Sequence, residues 1–182
     1  MKKYRKWLAI GIVICLAIGA GGAFYMHRKD MKERRLSLVY IPKVVDGTND
    51  FWTSLIQGIK IAAREYNSDI EIKAPSSEQN VKEQNKLLQE AIDEKPDAIL
   101  ISPSSFTESD ELLTQAKKAG IKISFIDSYT DQNVQDITVA TDNLEAGEKL
   151  GEFAATLLGQ NDEIAIISHV KGVSTAVERE EG

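Results

Sequence analysis

From Leu36 onward, the chain alternates short runs rich in β-branched residues with longer runs whose apolar residues recur at helical spacing. The short runs predict buried strands at 36–42, 69–74, 98–102, 121–127, 137–140 and 163–168. The long runs predict helices at 51–66, 81–94, 109–119, 144–158 and 174–181. Repeated strand–helix units with continuous apolar strands predict an α/β fold, with a doubly wound parallel sheet that is covered on both faces.

A long uncharged stretch precedes this region. Trp7 to Phe24 is 18 residues without a charge, and Tyr25 and Met26 extend it to 20. That length matches a ~30 Å hydrocarbon core, and the basic residues before it predict a cytoplasmic N-terminus with the body outside. An uncleaved anchor, a cleaved signal peptide and a lipoprotein signal are the alternatives. The anchor is favoured, because the run exceeds the ~7–15 residues of a signal-peptide core and Ile14 before Cys15 departs from a lipobox.

Charge is divided unevenly between these two regions. Residues 1–35 carry nine Lys/Arg and two Asp/Glu, whereas the rest of the chain carries thirteen and twenty-six. The basic leader suits a membrane surface. The acidic body argues against nucleic-acid binding, because phosphate backbones would repel it.

The sequence does not group the residue types that catalysis or a bound metal requires. The single Cys15 allows no intrachain disulfide, and His27 and His169 lack companions at ligand spacing. The loop after the first strand offers only Gly47 for a phosphate loop, and neither histidine is near a nucleophile-elbow pattern. We therefore expect a protein that is not an enzyme and carries no cofactor or metal.

The loops that follow the strands are where a ligand is expected, because open parallel sheets bind ligands beyond the carboxyl ends of their strands. The first such loop supplies Asn49, Phe51 and Trp52. The two adjacent rings cannot both face one core: either one projects to stack on a ligand, or Phe51 staples the helix entry and Trp52 is core. Asp127 ends the fourth strand, where its carboxylate can accept bonds from two neighbouring hydroxyls or simply serve a turn.

Four short motifs resemble those of the periplasmic sugar-binding proteins related to the lac repressor, particularly the ribose-binding type. They are Asn49-Asp50-Phe51-Trp52, Ile126-Asp127, Thr141-Asp142-Asn143 and the run from Gly172 to Arg179. The resemblance implies two lobes closing on a ligand, with Asn49 hydrogen-bonding it, Phe51 and Trp52 sandwiching it and Asp127 taking hydroxyls. It also implies contacts from Asn143 and Arg179. Asp50 replaces the family's usual proline and Ser128 the arginine typical of ribose binders, which leaves the sugar open.

Pattern and resemblance together divide the chain into an anchor segment over 1–35, an N-terminal ligand-binding lobe over 36–142 and the start of a second lobe over 143–182. We expect the second lobe to be incomplete, and therefore sugar binding by these 182 residues to be weak or absent. The implied function is an extracytoplasmic sugar- or polyol-binding component of an ABC-type importer, with a membrane permease as partner. The alternative is a membrane-anchored sensor acting with a two-component kinase or receptor. The anchored form would lie in the cell membrane, and a cleaved form would be secreted or periplasmic.

Overall fold

The computed structural model describes Gly19, Gly21, Gly22 and residues 34–159 and 161–182. Within these residues, Leu36–Gly182 forms one compact unit. The span predicted over residues 7–26 lies outside the described residues apart from the three glycines, as does most of the predicted anchor segment. No helix in the part of the chain that is described is long and apolar enough to cross a bilayer.

Five parallel strands form a sheet in the order β2-β1-β3-β4-β5. Their bounds are β1 Ser37–Ile41, β2 Asp69–Ile72, β3 Ala98–Ile101, β4 Lys122–Ile126 and β5 Ile137–Val139. At the carboxyl edge, Ile41 of β1 lies opposite Ile101 of β3, which in turn lies opposite Phe125 of β4. The chain moves outward from β1 to β2 and then returns past β1 to β3, so the predicted parallel α/β sheet is confirmed.

Five helices belong to the same described unit, one after each of β1, β2, β3 and β5 and a fifth that follows another helix. They are α1 Asp50–Glu65, α2 Val81–Glu94, α3 Asp110–Lys118, α4 Asn143–Leu157 and α5 Ser174–Glu181. Asn49 caps α1 by accepting a hydrogen bond from the Phe51 amide at 3.0 Å, which satisfies one of the N–H groups that a first helical turn leaves free. Gly120 follows α3 with φ +83°, a left-handed conformation that ends helices without a Cβ clash.

The core lies between the sheet and the two helices α2 and α3. Right-handed crossovers in opposite directions place α1 on the other face of the sheet, where Trp52, Ile56 and Ala63 are its buried residues. Each fully buried aliphatic side chain stabilises the fold by about 1.5–3 kcal/mol. The main cluster comprises Val39, Ile41, Leu88, Ala91, Ile92, Ile99, Ile101, Leu113, Ala116, Ile121, Ile123 and Phe125. The central strand β1 is thus covered on both faces, as the apolar strands predicted, whereas the edge strand β5 is exposed.

The strand predicted at 163–168 does not form, and this prediction is wrong. Those residues have no regular secondary structure, and Ile164, Ile166 and Ile167 are 62%, 75% and 96% exposed. A strand needs a neighbour to satisfy its backbone N–H and C=O groups, and this segment pairs with none of the five strands. An apolar β-branched run is therefore insufficient without a partner. The lobe boundary at 142/143 stays a prediction.

Candidate ligand-binding site

A pocket of about 220 Å³ opens at the carboxyl edge of the sheet. Its walls come from the loops after β1 and β2, the start of α1, the residue after β4, and residues 169–179. The lining residues are Lys43, Asn49, Phe51, Trp52, Glu78, Asp127, His169, Thr175 and Arg179. The pocket therefore lies where parallel α/β sheets present their ligand sites.

A buried polar layer fixes the loops beneath this pocket. The amide nitrogen of Gln84 donates to the carbonyl oxygens of Pro42 at 3.1 Å and Ser102 at 2.9 Å, and its oxygen accepts from the Ser104 amide at 2.9 Å. Ser128 Oγ donates to the carbonyl of Pro103 at 2.8 Å. Because buried polar groups are costly unless they are bonded, this layer holds the loops after β1, β3 and β4 in one arrangement.

Tyr40 belongs to the same layer. Its side chain is fully buried at the end of β1, and its hydroxyl lies 3.0 Å from Ser102 Oγ. Burial raises the pKa of Tyr40 well above its ordinary value, and the nearby Asp127 charge adds to the rise. Tyr40 therefore contributes a neutral hydroxyl at physiological pH.

Lys43 and Asp127 form an ion pair on the pocket wall. The Lys43 ammonium lies 2.9 Å from Asp127 Oδ2, and the lysine side chain is buried. A buried ammonium requires such a partner. Asp127 has φ +69°, and the Ser128 amide donates to the Ile126 carbonyl at 2.8 Å, which defines a γ-turn of the rare positive-φ class. Strained backbone of this kind costs about 1–3 kcal/mol and is concentrated at functional sites.

The two adjacent aromatic side chains differ in exposure. Phe51 is 52% exposed, whereas Trp52 is 3% exposed. Their ring centroids lie 4.9 Å apart with an interplanar angle of 81°, so no space for a sugar remains between them and these two rings do not form the implied sandwich. Trp52 Nε1 donates to Glu78 Oε1 at 2.6 Å, and the Lys43 ammonium lies 5.9 Å from the Trp52 ring centre. The Phe51 ring projects, as the first alternative expected of one ring, and the Trp52 ring is packed, as the second alternative expected.

Five of the six predicted site residues line this pocket. They are Asn49, Phe51, Trp52, Asp127 and Arg179. Asn143 does not: it is buried at the start of α4, and its amide nitrogen donates to the Thr141 carbonyl at 3.0 Å. In this arrangement the Asn143 side chain is held within its own turn and outside the pocket. Ligand contact by all six residues stays a prediction.

Three further charged or titratable residues line the pocket and were not predicted as site residues: Lys43, Glu78 and His169. Lys43 and Glu78 lie in loops after β1 and β2, so the carboxyl-edge rule was the signal that pointed to them. His169 is not predicted as a site residue because it lacks companions at ligand spacing in the sequence. Its ring is exposed, but its Nε2 lies 3.1 Å from Glu78 Oε2, a contact 91 residues apart in sequence that no local pattern reveals.

The charges in the pocket nearly balance. Lys43 pairs with Asp127, Glu78 pairs with His169, and Arg179 makes no ion pair with the described residues. Among those residues, no three His, Cys, Asp or Glu side chains converge to hold a metal ion. The site thus offers an exposed ring, an amide and several charged hydrogen-bonding groups, which suits a small polar ligand.

Comparison with known proteins identifies relatives of this arrangement. A model of the periplasmic binding protein domain matches residues 39–182. The ribose import binding protein RbsB of Bacillus subtilis is 28% identical over 134 residues, covering 74% of this chain and 43% of that protein. A sugar transporter structure from Clostridium phytofermentans is 40% identical with a TM-score of 0.77, covering 81% and 54%. The fructose-binding periplasmic domain of a hybrid two-component system is 20% identical with a TM-score of 0.74, covers 81% and 50%, and shares the fold. The chain spans about half the length of these relatives.

Proposed function

The chain belongs to the periplasmic binding protein domain family, and on that premise we propose that it is the extracytoplasmic sugar- or polyol-binding component of an ABC-type importer. The observation that carries the proposal is one pocket that combines an exposed ring, an amide and a paired carboxylate. Relatives named for ribose import and sugar transport support the ligand class and the partnership with a membrane permease. They also support binding rather than catalysis.

The pocket groups suit a neutral polyhydroxylated ligand. The exposed face of Phe51 can stack on the apolar face of a sugar ring. Asp127 uses Oδ2 for Lys43, which leaves Oδ1 to accept from ligand hydroxyls. Asn49 uses its oxygen as the cap of α1, which leaves its amide nitrogen to donate. Because Lys43, Asp127 and Glu78 already have partners within the pocket, an ionised ligand would gain little from these three groups.

The opposite wall of the pocket belongs to the proposed second lobe over 143–182. His169, Thr175 and Arg179 reach the pocket from this part of the chain, and the amide of Tyr129, two residues after Asp127, donates to Ser174 Oγ at 3.1 Å. Within this proposal, Arg179 donates to ligand oxygens from the second side. Asn143 would need to leave the Thr141 carbonyl before it could make the ligand contact that the resemblance implies.

A membrane-anchored sensor acting with a two-component kinase is the second candidate. It is supported by the uncharged run over residues 7–26 and by the fold shared with a domain of a hybrid two-component system. N-terminal sequencing of the mature protein separates the two candidates. A mature protein that retains residues 7–26 would support the sensor, whereas a cleaved, freely diffusing form would count against it.

Thermal unfolding of the full chain with a panel of pentoses, hexoses and polyols tests the binding proposal. A ligand that binds only the folded state raises the melting temperature, so at least one sugar should do so at millimolar concentration. The variant D127N should lose that rise, and the matched control D93N, on an exposed face of α2, should keep it. If a sugar stabilises D127N as much as the original protein, the proposed site is wrong, and if none of the sugars or polyols stabilises a chain that other small molecules do stabilise, the proposed ligand class is wrong.

A further inference from the structure

Glu78 lies in the loop between β2 and α2, and its carboxylate contacts two distant parts of the pocket. Oε1 accepts from Trp52 Nε1 at 2.6 Å, and Oε2 lies 3.1 Å from His169 Nε2. Hydrogen bonds to an ionised carboxylate are shorter and stronger than neutral ones. One side chain therefore connects the aromatic start of α1 with the segment that precedes α5.

The orientation of the Trp52 ring depends on this carboxylate. The ring meets Phe51 edge to face, has Lys43 at 5.9 Å and bonds to Glu78 through its only polar atom. A planar ring with a single N–H donor is fixed in rotation when that donor is held. Because Phe51 packs on it, a rotation of Trp52 would also move the exposed ring.

We propose that Glu78 is a positioning residue that couples the orientation of Trp52 to the placement of the His169 segment. The proposal rests on the proposed function, in which this aromatic wall meets the ligand. When His169 contacts Glu78, both carboxylate oxygens of Glu78 are engaged, and the orientation of the Trp52 ring is fixed. The coupling is reciprocal. A ligand that binds better when the Trp52 ring is fixed must also favour the contact between His169 and Glu78.

A ligand-free experiment tests the coupling directly. Tryptophan occurs only at positions 7 and 52, so in a W7F background the indole N–H signal in a proton–nitrogen NMR spectrum reports on Trp52 alone. Loss of the carboxylate in E78A should move that signal upfield, and E78Q, which keeps an acceptor, should restore most of the shift. H169A should move the signal in the same direction by a smaller amount. An unmoved signal in E78A or in H169A would overturn the proposal.

A double-mutant cycle with D-ribose as the probe separates positioning from direct ligand contact. W52F keeps an aromatic ring but lacks the N–H donor. If Glu78 acts through Trp52, E78A should weaken binding by roughly five- to tenfold in the original chain, the net scale of one ordinary hydrogen bond, and hardly at all in W52F. Equal losses of affinity in both backgrounds would mean that Glu78 contacts the ligand directly and would contradict the proposed coupling. If D-ribose does not bind the original chain, the indole result alone decides the coupling.

Discussion

The sheet region over 36–140 and the region over 141–182 contain similar apolar runs but treat them differently. Ile101 and Ile123 are buried in the sheet, whereas Phe153 on α4 and Ile167 beyond it are exposed. Every strand of the sheet has a hydrogen-bonded neighbour, but the equally apolar run over 163–168 has none. The difference shows that an apolar pattern indicates which side chains a segment could bury, while the elements packed against that segment decide whether they are buried.

A matched pair of isoleucine substitutions tests the difference in packing between these two regions and has the largest expected effect. I123A removes a fully buried side chain from β4 and should cost about 2–5 kcal/mol of unfolding free energy, because the cavity adds to the lost transfer energy. I166A removes an exposed one and should change stability by less than about 0.5 kcal/mol. Urea unfolding of both variants gives the numbers. Similar losses would show that the 163–168 segment is packed after all.

A second pair examines the buried polar layer of the sheet region. Q84L removes a buried amide that bonds three backbone groups and should destabilise the chain by about 2–3 kcal/mol, because buried carbonyls lose their donors. Q89L is its control on the same helix, where the Gln89 amide bonds the exposed Asp93 side chain. Chemical denaturation should find little change in Q89L. A harmless Q84L would mean that the loops do not depend on this layer.

A glycine pair tests how firmly α5 packs on α4 in the other region. A Cβ at Gly147 would lie 2.5 Å from the Arg179 carbonyl oxygen, whereas one at Gly151 would be no closer than 3.9 Å to Gly182. G147A should therefore cost about 1–2 kcal/mol through overpacking, and G151A should be neutral or stabilise by up to about 1 kcal/mol through helix propensity. Thermal melting compares them. A G147A variant as stable as G151A would show that the two helices are not in close contact.

The smallest expected effect is electrostatic. Asp136 accepts from the Ile123 amide and lies 3.1 Å from both Lys117 and Lys122, which lowers its pKa to about 2. Its stabilisation is present above the ordinary carboxyl pKa and is lost as the pH falls through about 2. Since the carboxylate is partly exposed, D136N should cost only about 1 kcal/mol at pH 7. Stability curves of the original chain and D136N should converge near pH 2, and parallel curves would contradict this assignment.

Much of the fold could be predicted from the sequence, because the strands of the sheet region are short β-branched runs and its helices carry apolar residues at helical spacing. Asn49, Trp52 and Asp127 could be placed near one another because all three follow the carboxyl ends of parallel strands or begin the next helix. The ties through Gln84 and Glu78 could not be predicted, since they join loops that are distant in sequence. Asn143 lies outside the pocket lining because its side chain bonds the Thr141 carbonyl of its own turn, a local choice that the sequence pattern does not report, and its ligand contact stays a prediction. The run over 163–168 failed because propensity does not report a missing neighbour.

The central claim is that the ligand binds at the carboxyl edge of the sheet, and chemical-shift mapping with D-ribose tests it most directly. A second pocket of similar size, about 260 Å³, lies at the opposite edge and is lined by residues that include Ser37, Asp69, Glu94 and Pro96. Millimolar D-ribose should produce saturable shifts at Asn49–Trp52, at Asp127 and over 169–179, and none around Ser37 and Pro96. Saturable shifts around Ser37 and Pro96 that leave the carboxyl edge unmoved would contradict the account.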